Sequence, residues 1–150
     1  MSVFFIADLH LGEARIAKAR GFESSKAMDA LIAKHWAERI GPGDMIWVLG
    51  DVGRAGGLGQ LAAWPGEKHL IGGNCDDLAR ILARGAFASV HVAKRLGPWV
   101  LSHVPVHPSL LGGGLTNVHG HLHGRRILDA RYICVSAEQV GYAPTMLEVG

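Results

Sequence analysis

Seven residues of the kinds that ligate divalent metals recur along the chain, each just beyond a short apolar run: Asp8 and His10, Asp51, Asn74, His103, and His121 with His123. Carboxylate oxygen, amide oxygen and imidazole nitrogen suit manganese, iron, zinc or nickel. The absence of a thiolate set argues against structural zinc. Two carboxylates among seven ligands fit a pair of ions only if one carboxylate is shared. A two-metal site of this kind, with ions roughly 3.5–4 Å apart, activates a water between them and clamps phosphoryl oxygens. Gly50, Gly73 and Gly120 stand next to Asp51, Asn74 and His121 and read as sharp backbone turns beside the ligands.

The elements that must position these side chains follow from the apolar pattern. Residues 3–7, 45–49 and 69–71 read as buried strands ending at Asp8, at Gly50-Asp51 and at Gly72-Gly73-Asn74. Ser24 or Ser25 caps a predicted helix through Met28, Leu31, Ile32, His35 and Trp36, which Gly41-Pro42-Gly43-Asp44 breaks. Residues 53–59 read as a glycine-rich loop, followed by a short helix through Trp64. Asp76 or Asp77 caps a helix through Leu78, Ile81 and Leu82. Residues 90–94, 99–102, 117–119, 132–135 and 145–149 read as further strands, with 95–98 as a turn. The first half alternates strand and helix, and the second is mostly strand. The expected fold class is α/β: two packed β-sheets flanked by helices. Ligands at strand ends are where an open α/β sheet carries a site.

A chain of 150 residues is read as one domain, 1–150, with no repeat or linker. With 49% hydrophobic and 19% charged residues, disorder is excluded. The net charge of +2 and a pI near 8.7 permit an anionic substrate, but no dense basic, aromatic-studded stretch points to nucleic acid. No apolar run reaches membrane-spanning length. Asp8 comes too early for a secretory signal core, and the two cysteines call for no disulfide, so the cytoplasm is the expected compartment.

Taken in order, Asp8-x-His10, Gly50-Asp51, Gly73-Asn74, His103 and Gly120-His121-x-His123 resemble the motifs of the calcineurin-like metallophosphoesterases. The resemblance covers almost the whole chain. It is closest to the small stand-alone bacterial and phage members, whose tail is similar to residues 132–136 and 142–144 here. It implies a four-layer αββα sandwich with the site at the strand ends. One metal would take Asp8, His10 and His123, the other Asn74, His103 and His121, and Asp51 would bridge. It further implies a hydrolase acting on small phosphoesters, nucleotides among them, through a water attacking phosphorus in line. The cofactor would be two divalent ions, manganese foremost, with Asp51, Asn74 and His103 in the catalytic roles.

Two positions depart from the family. Its third motif often carries a histidine that protonates the leaving group, where this chain has Cys75. A thiol with an ordinary pKa of about 8.5 is a poor substitute for an imidazole acid. Members with cysteine there tend towards phosphodiesters, so a phosphodiesterase is the preferred reading. A phosphomonoesterase acting on nucleotides or phosphoproteins is the rival, and a non-catalytic binding module on the same fold the alternative from another class. The second departure is Glu13, where a histidine is frequent; it either supports the site or faces solvent. Arg54, His107 and Arg125 are the candidate substrate contacts, on loops flanking the motifs. His119 alternates with His121 and His123, but a packed, hydrogen-bonded histidine is the favoured reading.

Overall fold

The computed structural model describes residues 1–148. Two four-stranded sheets pack face to face with helices outside them, the α/β two-sheet sandwich expected. The first sheet runs β1 (Val3–Ile6), β2 (Met45–Val48), β3 (Glu67–Ile71) and β4 (Ser89–His91), all parallel. The second runs β5 (Lys94–Leu96), β6 (Trp99–Leu101), β7 (Thr116–His119) and β8 (Tyr132–Cys134), with only the β5–β6 pair antiparallel.

Period-two alternation divides β1 and β2 between two cores. Phe4, Ile6, Ile46 and Val48 face the helices, while Phe5, Ala7, Trp47 and Leu49 face the second sheet and meet Leu101, Val118 and Val135. Both faces are covered, so these strands read as unbroken apolar runs. The four α-helices among the described residues are α1 (Ala14–Ala19), α2 (Ser25–Arg39), α3 (Ala55–Leu58) and α4 (Leu78–Arg84), and all pack on the outer face of the first sheet. Met28, Ile32 and Trp36, spaced four apart, are the buried stripe of α2. Each contributes roughly 1.5–3 kcal/mol by burial. Ser24 caps α2 through its hydroxyl, which accepts from Ala27 N–H at 3.0 Å. Of the described helices, none is long and apolar enough to cross a membrane.

Several elements differ from expectation. Residues 90–94 are not one strand: Val90 and His91 end the first sheet, and Lys94 begins the second. The expected turn over 95–98 shrinks accordingly, because Arg95 and Leu96 pair with Val100 and Trp99. The stretch 53–59 contains α3, and the short helix before Trp64 is a 3-10 turn, Leu61–Ala63. The strand expected over 145–149 is a single bridge from Thr145 to Phe5, and Val149 lies outside the described residues. Helix α1 has no counterpart in the sequence reading. It is six residues long, buries only Ala17, and its N-cap residue Glu13 makes no side-chain cap bond. Asp77, not Asp76, caps α4, accepting from Arg80 N–H.

Candidate metal centre

The strand ends deliver the expected residues to one place. Asp8 and His10 follow β1, Asp51 follows β2, Asn74 follows β3, His103 follows β6, and His121 and His123 follow β7. Among the described residues, six that are not glycine hold φ in the left-handed region: Asp8 (55°), His10 (48°), Asp51 (51°), His121 (70°), His123 (53°) and Tyr142 (59°). Five of the six are expected ligands. That conformation costs of order 1–3 kcal/mol per residue and persists only where the surroundings enforce it. Asp and His tolerate it better than most. Only one of the three glycines is a conformational turn: Gly50, at φ 87°. Gly73 and Gly120 are required by close approach instead, since a side chain would collide with Asp51 at the first and Asp8 Oδ2 at the second.

The candidate ligand atoms fall into two adjoining groups, Asp8 with His10 and His123, and Asp51 with His103 and His121, each within 4.8 Å. Asn74 joins the second: its Oδ1 lies 2.9 Å from His103 Nε2 and 3.1 Å from His121 Nδ1. One oxygen faces both groups. Asp51 Oδ2 is 3.3 Å from His103 Nε2 and 3.7 Å from His10 Nε2.

These residues fit divalent cations on the chemistry of their own atoms. His103 Nδ1 donates to the Leu49 carbonyl at 2.7 Å, which turns Nε2 towards two acceptor oxygens, Asn74 Oδ1 and Asp51 Oδ2. Such a convergence of acceptors needs a proton or a cation between them. His10 Nδ1 donates to Glu13 Oε2 at 2.7 Å, leaving Nε2 buried without a hydrogen-bond partner. Asp8 Oδ1 is likewise buried and unpartnered, with His123 Nε2 at 3.9 Å. An unsatisfied buried polar atom costs roughly 1–3 kcal/mol, and a shared cation would satisfy both.

Carboxylates stand behind the imidazoles. Glu13 holds His10, so it supports the site and does not face solvent. Glu138 holds His123 in the same way, accepting from Nδ1 at 2.6 Å. Such carboxylate–histidine pairs fix ring orientation and raise ligand basicity. Asp76 accepts from the N–H groups of Asp51, Val52 and Gly73, bracing both turns. Sequence reasoning missed Glu138, Ser136 and Arg20. Ser136 Oγ donates to Asp8 Oδ2 at 2.6 Å, and Arg20 Nη2 donates to the Asp8 carbonyl at 2.6 Å. The alternation of Ser136 with Glu138 just beyond β8 was the available signal, and Arg20 gave none.

Electrostatics follow the same pattern. Burial alone would raise the Asp51 carboxyl, but hydrogen bonds from His103 and Cys75 N–H, with the charges of His103 and His10, hold it at about 2. Glu138 is also held at about 2: desolvation pushes it up, and His123 and Arg20 more than reverse that. Burial pushes His103 down, yet Asp51 and the Leu49 carbonyl leave it raised. His123 is raised chiefly by Glu138. His119 is lowered by burial; it donates to the Gly120 carbonyl and is a packed histidine. Burial and then Asp51 raise the exposed Cys75 thiol, which suits neither a thiolate nor an efficient acid.

The candidate substrate contacts separate. Arg54 is 80% exposed, 3.6 Å from Glu13 Oε1, and lines a cleft of about 420 Å³ with His10, Ile16 and Cys75. Arg125 is exposed just beyond His123. His107 instead caps the 3-10 turn Pro108–Leu110 through its ring and bonds Ser109.

Fold and site together define a two-sheet α/β sandwich with paired Asp/His clusters at the strand ends. No family model matches the chain. It is 40% identical over 81 residues to the Gene 66 protein of Mycobacterium phage D29, and 37% identical over 82 residues to that of Mycobacterium phage L5. Each match covers 50% of this chain and 40% of the phage protein, so the chain spans less than half the length of these relatives. The fold is similar to the crystal structure of AQ665, a protein of unknown function from Aquifex aeolicus. The TM-score is 0.76 at 21% identity, covering 95% of this chain and 93% of the other.

Proposed function

We propose that this chain is a metal-dependent phosphoesterase acting on phosphodiesters. The observation that carries the reading is the pair of adjoining ligand clusters facing one carboxylate oxygen, Asp51 Oδ2. Asp8, His10 and His123 would hold one ion, Asn74, His103 and His121 the other, and Asp51 both. Manganese suits these donors, as do iron, zinc and nickel. When bound, two such ions supply Lewis acidity towards phosphoryl oxygens and a nucleophile from water at neutral pH.

The chain's own residues do the rest. Glu13, Glu138 and the Leu49 carbonyl hold three imidazoles with their second nitrogens turned inwards. Held this way, the donors need little reorganisation during reaction. Arg54, at the rim of the cleft beside His10 and Cys75, is placed to attract an ester anion. Cys75 offers no efficient acid for a poor leaving group, and that favours diesters with good leaving groups over alkyl monoesters.

The test is hydrolysis of bis(p-nitrophenyl) phosphate and p-nitrophenyl phosphate by chelator-treated protein, with and without added manganese. The expected result is metal-dependent turnover with the diester faster. A wide preference for the monoester overturns the diesterase assignment. No metal-dependent turnover of either substrate overturns the phosphoesterase reading.

A further inference from the structure

The Arg20–Glu138 pair is unusual in its burial and in where its bonds go. The Arg20 side chain is 3% exposed. Its Nη2 donates to Glu138 Oε1 at 2.8 Å and to the Asp8 carbonyl at 2.6 Å. The other Glu138 oxygen accepts from His123 Nδ1 at 2.6 Å. Two residues that face each other across one cluster, Asp8 and His123, are thereby tied through one ion pair. The following residue adds a tie, with Gln139 Nε2 donating to the His123 carbonyl at 2.8 Å.

A buried ion pair is weak as a source of stability, because desolvation cancels much of its attraction. Its value lies in geometry. The planar guanidinium fixes the directions of the two N–H groups on Nη2, and here one acceptor belongs to the strand-end turn and the other to the tail. Arg20 is the C-cap residue of α1, so this tie also anchors the helix to the loop carrying Asp8 and His10. No comparable buried cation backs His103 or His121 among the described residues. His103 leans on a neutral carbonyl, and His121 on none.

We infer that Arg20 and Glu138 are positioning residues for one half of the centre: they set the distance and facing of Asp8 and His123, and with it the affinity of that half for a divalent ion. The inference rests on the metal reading above.

The test is manganese binding by calorimetry and elemental analysis, together with electron paramagnetic resonance, on the wild type, Glu138→Gln and Arg20→Lys. Glu138→Gln keeps the shape and loses the charge. Arg20→Lys keeps the charge and loses the planar donor whose N–H directions are fixed. The expected result is that each variant binds one of two ions about 10- to 100-fold more weakly, the usual cost of losing an outer partner of a ligand. The other ion is retained, and the spectrum of a coupled pair gives way to the hyperfine-split spectrum of an isolated ion. Asp129→Asn, which breaks the exposed pair with Arg131, leaves both affinities unchanged and controls for the generic loss of an ion pair. If Glu138→Gln fails to fold, Arg20→Lys carries the same reading. A wild type with two ions and variants with unchanged affinities overturns the role of the pair alone. A wild type that binds no manganese overturns the metal reading, and this inference with it.

Discussion

Replacing Asp51 by asparagine removes one charge and almost no volume, and the structure predicts an unusually broad loss. In the metal-free protein the surroundings hold the carboxyl at about 2 against an ordinary 3.8. At about 1.4 kcal/mol per unit, that is a preference for the anion of roughly 2–3 kcal/mol, with the side chain only 4% exposed. A divalent ion weighs more. Two unit charges about 4 Å apart interact by about 4 kcal/mol at an effective dielectric of about 20. A net loss of about 3 kcal/mol per ion is therefore a conservative expectation, equal to about 100-fold in affinity. Because Asp51 Oδ2 faces both clusters, both ions should weaken together. His10→Ala strips one ligand from one cluster and should weaken one ion only. The assay is manganese titration followed by diester turnover at fixed free metal. Mild and equal losses in Asp51→Asn and His10→Ala, with metal content unchanged, would refute the shared role of Asp51.

The remaining predictions concern leaving group, pH and packing. Cys75→Ala should change diester turnover little, because the raised thiol is assigned no essential proton transfer, whereas Cys75→His should raise turnover of monoesters with poor leaving groups. Without metal, the raised His103 and His123 contribute stability that is present below about 6.5 and lost as pH rises through their raised values. Glu138 and Asp51, both depressed to about 2, contribute stability present above their ordinary 4.5 and 3.8 and lost as pH falls towards 2. Thermal melts in chelator should thus peak between the two windows, while added manganese should stabilise more as pH rises and the histidines deprotonate. Gly120→Ala should destabilise by about 1–3 kcal/mol and lower metal content, since the new Cβ would sit 2.8 Å from Asp8 Oδ2; an unchanged melt and metal content would contradict that. Ser24→Ala should cost about 1 kcal/mol in denaturant melts through the lost cap of α2.

Strands β1 and β2 were legible because each is buried on both faces and is followed by a polar residue of distinctive type. Helix α2 was legible from its apolar stripe at four-residue spacing and its capping serine. Helix α1 was not, because a six-residue helix with one buried alanine leaves no periodic trace. The boundary between the sheets was hidden for a similar reason: Val90 to Lys94 is continuous in composition, and only pairing partners distant in sequence divide it. The clusters were readable from motif order. Their supports were less so, since Glu138 and Arg20 are 118 residues apart and meet only through the fold. The left-handed backbone at five candidate ligand residues was invisible as well, because aspartate and histidine do not announce it as glycine would.

The most direct test is anomalous scattering from crystals grown with saturating manganese. Two peaks per chain are predicted, one among Asp8, His10, Asp51 and His123, and one among Asp51, Asn74, His103 and His121. A single peak with Asn74, His103 and His121 unliganded, or no peak at either cluster, would contradict the account.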